Sequence, residues 1–226
     1  MKDIIDFDDY SKEYNDLMDN QLSVFTDDVS YFAEYKIEET KKTLKTKPKN
    51  ILDFGCGVGR NINFFKKHFP LAKISGCDIS QKSIDIAKKS FPESDFFVIE
   101  DIPKPQNFDL IFISNVFHHI TKSDRDDVVK NILLPYLSDN GSIVVFEHNP
   151  INPVTRYLVA TCPFDKDAEL LFKNQLKSLF LKFGLSVEEE SFTLFFPPSW
   201  KKFKLLEYKL KKIPLGGQYF IHFKKK

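Results

Sequence analysis

The chain has 226 residues, 42% hydrophobic and 29% charged, with a formal net charge of +1. That size suits one α/β domain with appended helices, and the near-neutral balance predicts no nucleic-acid partner. Three scattered cysteines (Cys56, Cys77, Cys162), odd in number and without metal spacing, fit reduced thiols in a cytoplasmic setting. The acidic N-terminus has no signal-peptide pattern, and no apolar run nears the ~18 residues of a membrane span. Phenylalanine is frequent, at 24 residues, which predicts a Phe-rich core.

Residues 1 to about 48 begin with a scatter of aspartates, Asp3 to Asp28. Apolar and aromatic residues then recur at helical spacing, which predicts a helix from about Val29 to Leu44, ended before Pro48. This segment is either a lid over a pocket or a helix that caps one face of a sheet.

The stretch Ile51-Leu52-Asp53-Phe54-Gly55-Cys56-Gly57-Val58-Gly59-Arg60 reads as a buried strand, a turn of alternating glycines and a helix start. Glycine at every second position allows a sharp turn and lets a ligand lie against bare backbone. Dinucleotide-binding enzymes use G-x-G-x-x-G, but here Arg60 stands where their last glycine belongs. Asp53, two residues before the first glycine, would repel a pyrophosphate and could anchor an ammonium group or a bound water. The turn therefore suits a ligand with an amino-acid end. Asp53 to Gly59 resembles the first motif of the class I S-adenosylmethionine-dependent methyltransferases.

From Asn50 onward strands and helices alternate, as in a parallel sheet with crossover helices. A helix is predicted from about Arg60 to Lys67 and a second strand over Ala72 to Asp78. Ser80 is a good N-cap for a helix over Gln81 to Ser90. Asp95 to Ile99 is strand three and Phe108 to Ser114 strand four. A helix follows from Ser123 to Leu137, then an Asp139-Asn140-Gly141 turn into strand five, Ser142 to Phe146. Ala168 to Phe183 reads as a helix closed by Gly184, and Leu185 to Phe196 and Gln218 to Phe223 as two late strands. Seven strands with a C-terminal pair match the Rossmann-like methyltransferase sheet, mostly parallel with the last strand antiparallel. We expect one domain over 1–226: lid or cap helices over 1–48, a cofactor-binding core over 49–147, and a substrate side with the C-terminal strands over 148–226.

Ligands on such sheets bind beyond the C-terminal strand ends. The resemblance implies S-adenosyl-L-methionine as cofactor, cradled by Asp53, Gly55, Gly57 and Gly59. It gives Asp78, with Ile79 beside it, to the ribose hydroxyls, and Asp101 with Ile102 to the adenine. Glu100 replaces Asp101 if the register shifts by one. Ser114 ends strand four, where the family offers a backbone carbonyl to the ligand's ammonium group. No arginine precedes Arg60, so Lys36 is the substitute for an arginine clamp on the methionine carboxylate.

Base candidates lie after strands four and five: His118, His119, Glu147 and His148. A histidine pair after strand four resembles small-molecule methyltransferases of the quinone-biosynthesis type. We assign His148 as base and His119 as pocket wall or second candidate. Ser114-Asn115-Val116-Phe117 lacks the Asn/Asp-Pro-Pro-aromatic motif of enzymes that methylate DNA or glutamine amides. The segment from Asn149 to Asp165 reads as a long ordered loop on the substrate side. In it Arg156 either binds an anionic group of the substrate or pairs with Asp165 or Asp167. Trp200 to Ile213 reads as a basic amphipathic helix, which together with Lys224 to Lys226 could touch an anionic membrane surface. The Glu147-His148-Asn149-Pro150 and Pro214-to-Tyr219 runs are similar to those of bacterial small-molecule methyltransferases, some associated with cell-surface glycan synthesis. The expected activity is methyl transfer to an oxygen of a small molecule or a glycan or lipid-linked precursor. The alternative is a catalytically silent binder of the same cofactor, acting as regulator or partner subunit.

Overall fold

The computed structural model describes residues 7–10, 23, 26, 28–104, 107–200 and 203–225. Seven strands form one sheet: β1 (Asn50–Phe54), β2 (Lys73–Asp78), β3 (Asp95–Val98), β4 (Phe108–Ser114), β5 (Leu137–His148), β6 (Leu185–Thr193) and β7 (Gln218–Lys225). Their order is β3-β2-β1-β4-β5-β7-β6. β1 to β5 run parallel, and β7 lies antiparallel to both β5 and β6. The predicted doubly covered sheet with an antiparallel last strand is the one observed.

The central strands are apolar on both faces because helices cover both. Alternation along each strand splits their side chains into two cores. Ile51, Leu110, Phe112, Val144 and Phe146 pack with Ile37, Ile62, Phe65, Ile84 and Ala87 from helices Tyr31–Thr43, Ile62–His68 and Gln81–Ser90. Leu52, Phe54, Ile111, Ile113, Ile143 and Val145 pack on the other side with Val129, Leu133, Leu176 and Phe180. Phenylalanine fills much of both cores, as its frequency predicts.

Several boundaries differ from the sequence expectation, each for a local reason. The helix expected over Ser123 to Leu137 is broken into Arg125–Asp127, a π-helical stretch Val128–Leu133, and Leu134–Tyr136. Pro135 has no N–H with which to continue the α-helical ladder. The Asp139-Asn140-Gly141 turn persists as a bulge inside a longer β5, since Phe108 pairs with Leu137 whereas Leu110 pairs with Ser142. The long loop expected after β5 contains a helix, Pro153–Thr161, whose cap Asn152 accepts the Thr155 N–H. The helix expected over Ala168 to Phe183 spans only Lys173–Leu181, its start fixed where the Phe172 N–H donates to the Gln175 side chain at 2.9 Å. β6 stops at Thr193, where Leu194 takes a φ of 60° and turns the chain away. The basic helix is limited to Lys204–Leu210, and Lys201, Lys202 and Lys226 lie outside the described residues. Of the N-terminal segment, the helix Phe7–Tyr10 and the helix Tyr31–Thr43 are described, and residues 11–22 lie outside the described set. No helix among the described residues is long and apolar enough to cross a membrane.

Candidate active site

After β1 the chain turns through Gly55, Gly57 and Gly59, with φ of 74°, 52° and 87°. Side chains disfavour this left-handed region. The Gly55 and Cys56 N–H groups both bond the Cys77 carbonyl, at 2.8 and 3.0 Å, which fastens the turn to β2. A Cβ on Gly55 would sit 2.4 Å from a Val116 methyl, but one on Gly57 would meet nothing within 4 Å among the described residues. Gly57 therefore presents bare backbone to the cavity. Asp78, at the end of β2, accepts the Gly57 N–H at 2.8 Å through one oxygen and the Ser80 N–H at 3.0 Å through the other. Burial raises its pKa, opposed by those N–H donors.

A cavity of about 740 Å³ lies over the C-terminal ends of β1, β2, β3, β4 and β5. Ligand clefts generally fall within roughly 300–1,000 Å³. Its lining brings together many residues named from sequence: Gly55, Gly57, Asp78, Ile79, Ser114, Lys36, His119 and His148. Lys36 is buried, its Nζ donating to the Ser114 Oγ at 2.7 Å. Burial pulls the Lys36 pKa down to about 8, against the attraction of Glu147 and Asp53.

Other named residues lie elsewhere. Asp53 is buried behind the glycine turn and accepts both contacts, at 3.2 and 3.1 Å, from the Asn61 amide nitrogen. Burial lifts its pKa to about 7, with Asn61 opposing. Gly59 packs toward Phe91. At the end of β3 the chain enters a 3₁₀ turn, Ile99–Asp101, which places Glu100 on the cavity, leaves Asp101 off it and buries Ile102 in the core. Arg156 is exposed on the helix Pro153–Thr161 and is absent from the lining, and Asp165 faces histidines instead of Arg156.

The end of the cavity beyond β4 and β5 holds a histidine cluster. Glu147, fully buried, accepts the Val116 and Phe117 N–H groups at 3.0 and 2.7 Å through Oε1 and meets His118 Nδ1 at 2.6 Å through Oε2. It thus anchors the turn after β4 and has no oxygen left for a base's task. Burial disfavours the charge on His118, but Glu147 and Asp165 outweigh it and raise its pKa to about 9. Glu147 and Asp165 are held below the ordinary carboxylate range despite burial, chiefly by His118. The His119 Nε2 lies 3.3 Å from Asp165 Oδ1. His148 lies with its ring 5.1 Å from that of His118, and burial, then the His118 charge, lowers its pKa to about 3.

Sequence reasoning did not find Phe7, Phe32, Asp165, Gln218 or the Leu194-to-Pro198 stretch, all of which line the cavity. Phe7 stands edge-on to His119 at 5.0 Å, and Asp8 of the same short helix accepts the Ser80 hydroxyl at 2.6 Å. Asp165 carried a readable signal as an acid on the substrate side, but its histidine partners lie far away in sequence.

Residues 52–143 match the model of a methyltransferase domain. Over 123 residues the chain is 30% identical to the malonyl-[acyl-carrier protein] O-methyltransferase of Halalkalibacterium halodurans, covering 50% of this chain and 44% of that one. It is 28% identical over 149 residues to the demethylmenaquinone methyltransferase of Thermotoga maritima, covering 65% and 61% respectively. The chain thus spans about half the length of the curated relatives it matches. The solved structure of the plantazolicin methyltransferase BpumL, in complex with a pentazolic desmethylPZN analog and SAH, superposes with a TM-score of 0.67. That match covers 97% of this chain and 95% of the other at 19% identity, a likeness of fold. Residues 52–143 thus match a methyltransferase domain, and the glycine turn and strand order are those of the class I S-adenosylmethionine-dependent methyltransferase fold.

Proposed function

We propose that this chain transfers the methyl group of S-adenosyl-L-methionine to an oxygen of a small-molecule acceptor. The observation that carries the proposal is one continuous cavity with the bare Gly57 backbone and Asp78 at one end and His119 and His148 at the other. Its size leaves space for an acceptor beside the cofactor. The lining fits such a cofactor: the half-buried carboxylate of Asp78 for ribose hydroxyls, an acid at Glu100 for the adenine amino group, and the end of β4 for the ammonium. Lys36 is the cation for the methionine carboxylate, and Ile79 packs against the nucleoside.

When bound, the cofactor supplies a methyl group on a positively charged sulfur, activated for in-line displacement. The chain's task is to align the acceptor oxygen, which is worth roughly 7–11 kcal/mol of barrier, and to take the hydroxyl proton. His148 is the base. It stands in the cavity as a neutral imidazole with a lone pair available. His119 is the second candidate.

The exposed Trp200, Phe203 and Leu206 near the cavity's Phe196-to-Pro198 rim, with Lys209 and Lys211 beside them, support a lipid-linked or glycan-precursor acceptor presented at an anionic surface. Sedimentation with anionic vesicles tests that extension.

Calorimetry with S-adenosylhomocysteine should show one site per chain, and NAD none. Incubation with methyl-labelled cofactor and cell extract, fractionated by solubility, should place label in a small-molecule or lipid fraction. Binding without any label transfer would favour a silent binder. Absence of binding would reject the proposal.

A further inference from the structure

We propose that His118, His119 and Asp165 form a binding site for one divalent first-row transition-metal ion, open to the cavity. The idea rests on the methyl-transfer reading only for the ion's use, since ion binding itself needs no cofactor.

One donor atom from each of the three residues lies within 4.8 Å of the others. Asp165 Oδ1 stands 3.3 Å from His119 Nε2 and 3.7 Å from His118 Nε2. Ligands bound at about 2.0–2.2 Å from one ion are themselves about 3–3.5 Å apart, so small side-chain adjustments complete the set. Two imidazoles and one carboxylate suit zinc, manganese, iron or cobalt better than magnesium or calcium, which prefer all-oxygen shells.

The surroundings resemble those of a built metal site more than a chance cluster. Glu147 grips His118 Nδ1 at 2.6 Å, which points Nε2 at the proposed ion; carboxylate–histidine–metal relays use the same device. Glu147 is itself held by two backbone N–H groups. The His118 carbonyl accepts the Glu169 N–H at 2.7 Å, and the Asp165 N–H bonds the Cys162 carbonyl at 3.2 Å. The main chain on both sides of the set is therefore fixed. His119 Nδ1 is buried without a hydrogen-bond partner among the described residues and lies 3.9 Å from Asp167 Oδ1, which leaves Nε2 as the nitrogen turned toward Asp165. All three residues line the cavity, and three protein ligands leave coordination positions facing it. An acceptor's hydroxyl or carboxylate oxygen would fill one of them. Coordination there would acidify a hydroxyl and fix its oxygen for displacement.

A second group, Glu34, Glu38 and His68, has comparable spacing. It is less buried, and Glu34 is already paired with Lys67 and His68. It serves as the control.

The test uses the full chain, treated with chelator and titrated with Co²⁺ and then Zn²⁺ in the absence of cofactor. We expect one Co²⁺ per chain with visible absorption bands that Zn²⁺ abolishes. The cobalt form should show paramagnetically shifted ring N–H protons from two histidines, a readout that needs no variant. His119→Ala and Asp165→Asn should lose the saturable site, Glu147→Gln should weaken it about 10–100-fold, and His68→Ala should keep it. Absence of saturable binding, or binding lost in His68→Ala but kept in His119→Ala, would overturn the proposal. So would a cobalt spectrum without histidine N–H shifts. S-adenosylhomocysteine binding in the same preparation separates the two ideas: its persistence without metal binding sinks this site alone.

Discussion

The Lys36 ammonium donates to the Ser114 hydroxyl at 2.7 Å, which joins the helix Tyr31–Thr43 to the end of β4 inside the cavity. A buried lysine whose direct partner among the described residues is a neutral hydroxyl is prepared for an anion. Lys36→Met should therefore weaken S-adenosylhomocysteine binding by about 10–100-fold, the value of a charge-assisted hydrogen bond of roughly 1.5–3 kcal/mol. Burial lowers its pKa to about 8, so the charge is present below that pH and lost above it. Cofactor affinity should fall as pH rises through about 8, and that slope should vanish in Lys36→Met. Calorimetry from pH 7 to 9.5 on both proteins checks this, and equal slopes would remove Lys36 from the carboxylate site.

Asp78 has two tasks, holding the Gly57 and Ser80 N–H groups and facing the cavity. Asp78→Ala leaves two donors without an acceptor and should cost about 1–3 kcal/mol of stability. Cofactor affinity should fall at least tenfold as well, measured at a temperature where the variant is folded. Unchanged affinity would take the ribose role away from Asp78.

The glycines of the turn separate folding from binding. Gly55→Ala places a Cβ 2.4 Å from Val116 in a left-handed conformation. It should lower the unfolding midpoint markedly. Gly57→Ala meets no atom within 4 Å and pays mainly the left-handed cost of about 1–2 kcal/mol. Its new methyl group stands where a ligand would lie, so affinity should suffer more than stability. Thermal melts with and without S-adenosylhomocysteine distinguish the two variants.

His222 gives stability a pH dependence. It is buried on β7, its Nδ1 2.9 Å from the Thr43 hydroxyl, and burial lowers its pKa to about 4. The folded chain keeps this ring neutral, whereas the unfolded chain protonates it below about 6.5. The unfolded state thus binds the extra proton between these values. Stability should decline as pH falls from about 6.5 to about 4 and level off below. Comparing melting curves of the unmodified chain with His222→Gln over this range isolates the contribution; identical pH slopes would refute it.

Much of the sheet was legible because its signals are local. Buried strands such as Phe108–Ser114 are unbroken apolar runs, the three glycines mark the turn, and Ser80 caps Gln81–Ser90 as read. The helix Pro153–Thr161 was missed inside a segment read only as a long ordered loop, although Asn152-Pro153 is a sound cap followed by a proline at the first helical position. Glu100 and not Asp101 lines the cavity because strand periodicity does not foresee the 3₁₀ turn at Ile99. The meeting of Asp165 with His118 and His119 was illegible for another reason. It joins the turn after β4 to a segment beyond the next strand and helix, and only the folded sheet closes that distance.

The place of β7 bears on how the molecule is made. β7 is the last of the seven described strands in chain order, yet it sits inside the sheet and is the only neighbour of β6 among them. Until residues 218–225 exist, β5 has an unpaired edge and β6 has nothing to join. A nascent or truncated chain would expose those edges to other polypeptides, so assembly of this half of the sheet must wait for β7.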